Sequence, residues 1–243
     1  MRFSRWMVFV CSAWLYAPGL MAQGVAVSAK IVVHGEKHTE GAAHKSDGAA
    51  NVVVWLTPLQ GGETRPVSQS HPPYRLLQKD KQFHPHLLVV PTGSSVEFPN
   101  ADPFFHNVFS LFNGKRFDLG LYESGTSRSV RFDREGVSYI FCNIHPEMGA
   151  VVLALSTPYY AISAADGVVT IRDVPAGSYR LNVWSEDARP VTQSDAQRVI
   201  QIAAGAGSPM RLGEIAMQPA TSPLGHHKNK FGEEYRPEPQ APY

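Results

Sequence analysis

The stretch Tyr139-Ile-Phe-Cys142-Asn-Ile-His145-Pro-Glu-Met148 combines the end of an apolar run with a short polar loop. The run has the aromatic and β-branched character of a strand, and Cys142 closes it. His145 follows three residues later and Met148 six residues later, so one tight loop can turn all three side chains toward one point. His106, in an upstream Pro-Phe-Phe-His-Asn-Val stretch, can reach the same point from the end of a neighbouring strand.

These four side chains form a ligand set with a definite chemistry. Two imidazoles, one thiolate and a weak thioether are the donors of blue-copper electron-transfer sites. The soft thiolate stabilises Cu(I), the imidazoles suit both oxidation states, and a distant thioether raises the reduction potential. Taken singly, Cys142 is also typical of a buried small hydrophobe and Met148 of a core gap-filler. A structural zinc site is disfavoured because a thioether is a poor zinc ligand.

An asparagine directly follows two of these residues, Asn107 after His106 and Asn143 after Cys142. Side-chain hydrogen bonds from such residues can tie the two ligand-bearing loops together, as groups around a metal site commonly do. We therefore expect Asn107 and Asn143 to support the site without binding the metal.

The rest of the chain predicts β structure throughout. Short runs of β-branched and aromatic residues alternate with Gly, Pro and Asp clusters, which is the spacing of an all-β sandwich or barrel. No segment keeps a helical period for long, although 73–81, with proline at a tolerated first position, predicts a short helical turn. The predicted strands are 25–33, 51–56, two within 87–98, 105–112, 127–132, 137–142, 151–155, 168–171, 178–184, 198–202 and 212–217.

The composition excludes several classes of protein. The chain has 243 residues, and its 22 Lys and Arg against 21 Asp and Glu include no basic block that would neutralise a phosphate backbone. We therefore expect no nucleic-acid partner. The two cysteines, Cys11 and Cys142, are too few for a disulfide framework or a four-cysteine zinc site.

The first 22 residues predict a secretory signal. Arg2 and Arg5 precede an apolar run, 6–16, and a small residue ends the segment. The run is shorter than the ~20 apolar residues that span a bilayer, and bulky residues before Cys11 disfavour lipid attachment there. Cleavage would leave a periplasmic or secreted protein without stable membrane insertion. Cys142 would then be a single thiol in an oxidising compartment.

The copper stretch resembles the cupredoxins, the type 1 blue copper proteins. The segment Val96-Glu-Phe-Pro-Asn before His106 is similar to the plastocyanin pattern, and the Cys-x2-His-x2-Met spacing is that of amicyanin. The resemblance covers 82–156, about a third of the chain, and implies a Greek-key β-sandwich. Ser138 departs from the pattern, because the family usually has a large aromatic residue there. The resemblance implies as copper ligands His106, Cys142, His145 and Met148.

A second resemblance follows the copper unit. The stretch from Ala164 to Trp184 contains an Asp-Gly hairpin and a Val-Pro-x-Gly turn before an alternating strand. It resembles the carboxypeptidase regulatory-like module, which implies a seven-stranded transthyretin-like sandwich. Because 158–217 supplies only the later strands, we hypothesise that 25–33 and 51–56 complete it. The copper unit would then be inserted into a discontinuous sandwich.

The predicted organisation is a cupredoxin sandwich with a second small β-sandwich around it in sequence. Val137, Tyr139 and Phe141 crowd the face of their strand opposite Cys142, and that much apolar surface seldom faces water. Either the second sandwich covers it or the cupredoxin core buries it. The expected parts are a signal 1–22, N-terminal strands 23–72, a copper domain 73–157, the second sandwich 158–217 and a Pro-rich disordered tail 218–243.

We expect an electron-transfer protein with one type 1 copper rather than an enzyme. One exported cysteine cannot build a dinuclear copper centre, and four protein ligands leave no open position for substrate. Redox proteins would dock transiently on an apolar collar of Ile144, Pro146 and Met148 around His145. The alternative is a non-redox protein that delivers copper, or that binds a partner or a carbohydrate through the second sandwich.

Other histidines give weaker signals. His84 and His86 are predicted to share one face of a strand, either as a second weak metal site or as solvated or hydrogen-bonded side chains. His226 and His227 in the tail can capture copper transiently or remain solvated.

Overall fold

The computed structural model describes residues 24–35, 49–59, 73–111, 114–203, 209–224 and 227–235. The expected signal, the histidine His226 and the last part of the expected tail, 236–243, lie outside these residues. In the described part almost all regular structure is β, which confirms the all-β fold class. The described helix, α1, spans Gln193–Ala196, and the described ranges contain no helix long and apolar enough to cross a membrane.

The chain forms eighteen strands within the described residues. Their bounds are β1 Val25–Val33, β2 Val53–Pro58, β3 Tyr74–Arg75, β4 Leu77–Lys79, β5 Gln82–His84, β6 Leu87–Pro91, β7 Ser94–Pro99, β8 His106–Ser110, β9 Phe117–Tyr122, β10 Ser127–Phe132, β11 Gly136–Phe141, β12 Gly149–Leu155, β13 Tyr160–Ile162, β14 Val168–Val174, β15 Gly177–Trp184, β16 Ala188–Pro190, β17 Gln197–Ile202 and β18 Met210–Pro219.

The strands divide into two sandwiches, each closed over its own core. In the central unit, residues 73–157, the sheet β6-β12-β11-β8-β9 faces the smaller sheet β10-β7-β3, with the ladder β4-β5 beside them. In the flanking sandwich the sheet β14-β1-β18-β16 faces the sheet β13-β2-β15-β17. Phe98, Phe132 and Ile140 are fully buried in the first core, and Ile31, Leu56 and Tyr179 are nearly or fully buried in the second.

Strand pairing shows that the flanking sandwich is discontinuous in sequence. Strand β1 pairs with β14 and β18, while β2 pairs with β13 and β15, so both early strands lie between strands that follow the central unit. The chain passes from the flanking sandwich to the central unit and returns from it at the same place. There the Leu56 N–H of β2 donates to the Tyr159 carbonyl at 2.9 Å. Thr157 Oγ1, at the end of the central unit, donates to the carbonyl of the same Leu56 at 2.8 Å.

The described flanking sandwich has eight strands rather than the seven that the resemblance implies. Strands β13 and β16, three residues each, complete the two sheets. Segments this short have too little alternation to be predicted from sequence, since periodicity needs a longer window.

Strand β11 is apolar on both faces, and each face is covered. Ile140 and Cys142 point into the core of the central unit, whereas Val137 belongs to a seam cluster between the two sandwiches. The seam also buries Val53, Leu153 and Leu155, with Trp55 and Trp184 packed beside them. The flanking sandwich therefore covers the outward side of β11 near its start, as one of the two sequence alternatives expected.

Ser138, the departure from the cupredoxin pattern, faces inward and is 1% exposed. A Cβ on Gly114 would lie 2.3 Å from the Val137 carbonyl oxygen and 2.5 Å from Ser138 Oγ. The backbone at Gly114 therefore takes the volume beside β11 that a larger side chain at position 138 would need.

The prediction of a helical turn over 73–81 is wrong. Tyr74 pairs with Val96 in parallel, and Leu76 N–H donates to the Glu97 carbonyl at 2.9 Å. Leu76 and Gln78 are both fully buried, which is a period of two. Strand pairing, with every second residue buried, outweighed the helix-starting tendency of the proline at the segment's beginning.

The prediction that His84 and His86 share a strand face is also wrong. His84 ends β5 and its Nε2 lies 3.3 Å from the Lys79 carbonyl oxygen. His86 lies before β6, and its Nε2 is 2.6 Å from Glu186 Oε2 of the flanking sandwich. The turn between the two strands separates the imidazoles, and His86 serves as a contact between the two sandwiches.

The prediction of a disordered tail from residue 218 is wrong for the described residues 218–224 and 227–235. Strand β18 continues to Pro219, and residues 220–224 and 227–235 have defined contacts. The low apolar content that predicted disorder is offset by hydrogen bonds to the central unit, which are described with the site below.

The His86–Glu186 pair predicts a pH dependence of unfolding. The hydrogen bond to Glu186 raises the pKa of His86 above its usual value, against the lowering effect of burial. Stabilisation by a raised pKa is fully present below the unfolded value, about 6.5, and is lost as pH rises through the folded value. In metal-free protein we expect the Tm of wild type to exceed that of Glu186→Gln by about 1–3 °C near pH 5.5 and by less near pH 8.5. A difference independent of pH in calorimetry would contradict this.

Candidate metal site

The sheet brings the predicted ligands together at one end of the central unit. His106 begins β8 and Cys142 directly follows β11, and these strands are antiparallel neighbours through the pair Phe141 and Phe109. The start of one strand therefore lies beside the end of the other. His145 and Met148 lie on the loop that connects β11 to β12.

Three donor atoms converge on one point. Cys142 Sγ lies 3.7 Å from His106 Nδ1 and 3.6 Å from His145 Nδ1, and the two Nδ1 atoms are 3.1 Å apart. Bonds of about 2.0–2.3 Å to nitrogen and sulfur place donors around one tetrahedral ion roughly 3.3–3.6 Å apart. His106, Cys142 and His145 therefore have the spacing of a group that can hold a metal ion.

A buried carboxylate sets the orientation of the His106 ring. Asp102 Oδ2 lies 2.8 Å from His106 Nε2, and both side chains are almost completely buried. A ring that donates from Nε2 to this carboxylate presents the lone pair of Nδ1 to the metal point. Asp102 is itself held by the backbone N–H groups of Asp80 at 2.6 Å and Lys81 at 3.0 Å. Burial favours its neutral form, but these bonds and His106 hold its pKa below the usual value.

The His145 ring is kept in the form that binds a metal. Burial lowers its pKa, and electrostatic interactions with His106 and Lys81 lower it further. A neutral imidazole has a free lone pair, so His145 can act as a ligand at neutral pH without first losing a proton.

The Cys142 thiol is fully buried and forms no disulfide within the residues that the structure describes. Burial raises its pKa, and the backbone N–H groups of Asn107, Ile144 and His145 offset the rise only in part. A thiol in such surroundings stays protonated until a cation compensates the thiolate charge. The three N–H groups can then stabilise the negative sulfur.

Met148 is 0% exposed and packs in the same core cluster as Cys142. Its N–H donates to the His145 carbonyl at 3.0 Å, and its carbonyl accepts from the Cys142 N–H at 3.3 Å. These two bonds close the ligand loop. The buried position agrees with a thioether donor, and it removes Met148 from the exposed collar that the sequence predicted around His145.

The two asparagines have partners other than those expected. Asn107 Nδ2 donates to Asp118 Oδ1 at 2.7 Å, and Asn143 Oδ1 accepts from the Lys230 N–H at 3.0 Å. Neither of these bonds joins one ligand loop directly to the other. The prediction that the two asparagines tie the ligand loops directly to each other is therefore wrong. Their side chains bond instead to β9 and to the C-terminal segment, which lie within reach.

Sequence reasoning missed Asp102. Its signal was present, since an acidic residue four positions before a candidate histidine ligand can turn back toward the ring. The loop between β7 and β8 makes this contact possible, and the bend of that loop depends on Asn100. Asn100 Oδ1 accepts from the Asp102 N–H at 3.0 Å, and its Nδ2 donates to the Phe104 carbonyl at 2.8 Å.

Comparisons with known proteins give weak likenesses to copper proteins. No family model and no curated protein matches the chain. Among solved structures, a novel purple cupredoxin from Nitrosopumilus maritimus is 24% identical, with 34% of this chain and 99% of that one covered and a TM-score of 0.31. An oxidised amicyanin mutant is 19% identical over 34% and 82% of the two chains, with a TM-score of 0.33.

A Cu-containing nitrite reductase from Thermus scotoductus SA-01 is 22% identical, with a TM-score of 0.34. The alignment spans 41% of this chain and 27% of the reductase. Likenesses this low in identity and TM-score carry no weight for function, which has to be argued from the site itself.

The Asp102 contact predicts a loss of metal affinity when it is removed. We expect Asp102→Ala to weaken Cu(II) binding roughly 10- to 100-fold, because the His106 ring loses the acceptor that fixes its tautomer and orientation. Asp133→Asn, at an exposed carboxylate paired with Lys115, is the matched control and should leave affinity unchanged. Competition titration against a chelator measures both. A dissociation constant for Asp102→Ala within twofold of wild type would refute this role.

Proposed function

We propose that this protein is a mononuclear type 1 copper protein that carries single electrons and catalyses no reaction of its own. The observation that carries the proposal is the triangle of His106 Nδ1, Cys142 Sγ and His145 Nδ1, with Met148 buried on the same loop. Bound copper would supply a one-electron couple between Cu(II) and Cu(I).

The protein's part in electron transfer is to keep its donor groups still. His106 is anchored by Asp102, and the loop that carries His145 is closed by backbone bonds between Cys142 and Met148. Side chains packed in a close-fitting core move little when the charge at the site changes by one. The four donors also leave no position for a substrate, which is the reason for proposing a carrier rather than an enzyme.

A surface for redox partners is available at the edge of His145. Its ring is partly exposed, and the Phe104 ring lies 5.5 Å from it and 5.2 Å from the His106 ring. Next to His145 on the same loop, Ile144 is 40% exposed and Pro146 is exposed, and Phe105, which follows Phe104 in sequence, is 54% exposed. We infer that other redox proteins dock here through a small apolar contact typical of transient encounters.

We further propose an exported location, as the signal-like first 22 residues and the single remaining thiol suggest. The flanking sandwich is proposed to be a carboxypeptidase regulatory-like module that serves as a support for the copper unit. Its apolar outer face at Trp55 and Trp184 packs against β6 and β12 of the central unit, which favours a structural role over a free carbohydrate-binding face.

Spectroscopy of the copper-loaded protein tests the site. Stoichiometric Cu(II) should give an intense visible band from thiolate-to-copper charge transfer, and Cys142→Ser should abolish it while the protein stays folded. The control is Ser129→Ala on the exposed face of β10, which should keep the full band. A colourless wild-type complex that passes Cu(I) reversibly to a chelator would favour copper delivery instead.

Electron self-exchange, measured by NMR line broadening in mixtures of the two oxidation states, tests the docking surface. Ile144→Asp should slow exchange about tenfold or more, because two copies would then bring like charges together at the contact. Val199→Asp is the matched control, at a side chain 60% exposed on β17 of the flanking sandwich. An equal effect of the two variants would show that electrons leave elsewhere.

A further inference from the structure

The segment that follows β18 crosses from the flanking sandwich to the metal site. Its first part is fixed to the flanking sandwich, since Ala220 N–H donates to the Asp187 carbonyl at 2.8 Å and Ser222 bonds to Glu186. Leu224 then packs on Gly149 at the start of β12. A Cβ added to Gly149 would lie 3.2 Å from Leu224 Cδ2. The chain has reached the ligand loop at this point.

Residues 227–235 then contact three consecutive residues at the end of β11. The His227 ring stacks on Phe141, with centroids 4.1 Å apart and an angle of 23° between the rings. Tyr235 Oη donates to the Cys142 carbonyl at 2.8 Å, and Lys230 N–H donates to Asn143 Oδ1 at 3.0 Å. The thiolate residue and both of its neighbours are therefore held by one segment.

The segment has a fixed shape of its own. Asn229 Oδ1 accepts from the N–H groups of Phe231 at 2.9 Å and Glu233 at 3.0 Å. The Asn229 N–H donates to the Glu233 carbonyl at 2.9 Å. This turn presents the Lys230 N–H to Asn143, and it brings Tyr235 back to the Cys142 carbonyl.

The same segment also reaches β9, the strand that pairs with the one carrying the first histidine. Lys230 Nζ lies 2.8 Å from Asp118 Oδ2, and Asp118 Oδ1 accepts from Asn107 Nδ2 at 2.7 Å. A chain of polar contacts thus runs from Asn107, next to His106, through Asp118 and Lys230 to Asn143, next to Cys142. The link between the two ligand-bearing segments that the asparagines do not make directly is made through Lys230.

We propose that residues 227–235 are a clamp that positions the ligand loop and closes the Phe141 side of the metal site. Tyr235 and Lys230 are positioning residues, because they act through the backbone and neighbours of Cys142 and not on the metal. The clamp leaves the His145 edge as the open side. The proposal rests on the proposed function only for the identity of the metal, since the clamp contacts exist in the protein without it.

The backbone of Cys142 explains why loss of the clamp contacts should destabilise the closed ligand loop. Its N–H is used in closing the loop onto Met148, and its carbonyl accepts from Tyr235. A buried carbonyl that loses its donor favours any movement that restores contact with water. Without the clamp, opening of the loop at Cys142 becomes easier, and both the thiol and a bound ion become more accessible.

Thiol labelling of metal-free protein gives the first test. We expect a chain that ends at Leu224 to react with an aromatic disulfide reagent at Cys142 roughly tenfold faster than wild type, because the loop opens more often. Tyr235→Phe, which removes one hydrogen bond and keeps the ring, should react roughly fivefold faster. Lys228→Ala is the matched control, because within the described residues this exposed side chain forms an ion pair with exposed Glu234 at 3.6 Å, and the variant should react like wild type.

Copper release to a chelator gives the second test. In loaded protein the truncated chain and Tyr235→Phe should release copper faster by similar factors, and the thiolate band should shift in position while Lys228→Ala leaves it unchanged. Tyr235→Phe is a conservative change on the surface side of the loop. This variant therefore tests the clamp even if the truncated chain unfolds.

Wild-type rates of labelling and release in Tyr235→Phe and in a folded truncated chain would overturn the clamp. Failure of the proposed function looks different. Wild type would then show no thiolate band with Cu(II), while the labelling difference between wild type and Tyr235→Phe would still report on the clamp.

Discussion

The structure depends on a cysteine placed at the end of a strand that is apolar on both faces. Alternation along β11 sends Ile140 and Cys142 into the core of the central unit and sends Val137, Tyr139 and Phe141 outward. The inward face alone would make a metal site. The outward face requires a second layer, because its aromatic side chains would otherwise form an exposed hydrophobic patch prone to non-specific association.

Two parts of the chain share the work of covering that face. The flanking sandwich packs over the start of β11 through Trp184 and its neighbours, and His227 stacks over Phe141 at the end. A two-sided burial of this kind keeps β11 in register with β12, since a slip by one residue would exchange its inward and outward side chains. The position of Cys142 is therefore fixed by packing on both sides of the sheet, as well as by the loop that follows it.

Much of the fold and of the candidate metal site could be predicted from the sequence, and the features that could not be predicted have physical causes. The group of His106, Cys142 and His145 was predicted because Cys142 and His145 lie close in sequence and because a thiolate and imidazoles together have few other uses. The discontinuous sandwich followed from counting strands against the pattern after Gly167. Lys230 and Tyr235 were missed because their contacts with Asp118 and Cys142 span 112 and 93 residues and are closed only in the folded chain. Asp102 was missed although it lies four positions before His106, because its contact depends on the bend that Asn100 makes in the loop. The tail was predicted to be disordered because composition measures burial of apolar area and does not register hydrogen bonds to a preformed surface.

The insertion also dictates an order of events during synthesis. Strands β1 and β2 are made first, but their partners β14, β18, β13 and β15 are made only after the whole central unit. The central unit closes its own core from continuous chain, so it can fold while the two early strands still wait. Its donors can thus come together before β18 and residues 227–235 have been made. During synthesis the ligand loop is therefore complete before residues 227–235, the last part of the described chain, exist to contact it.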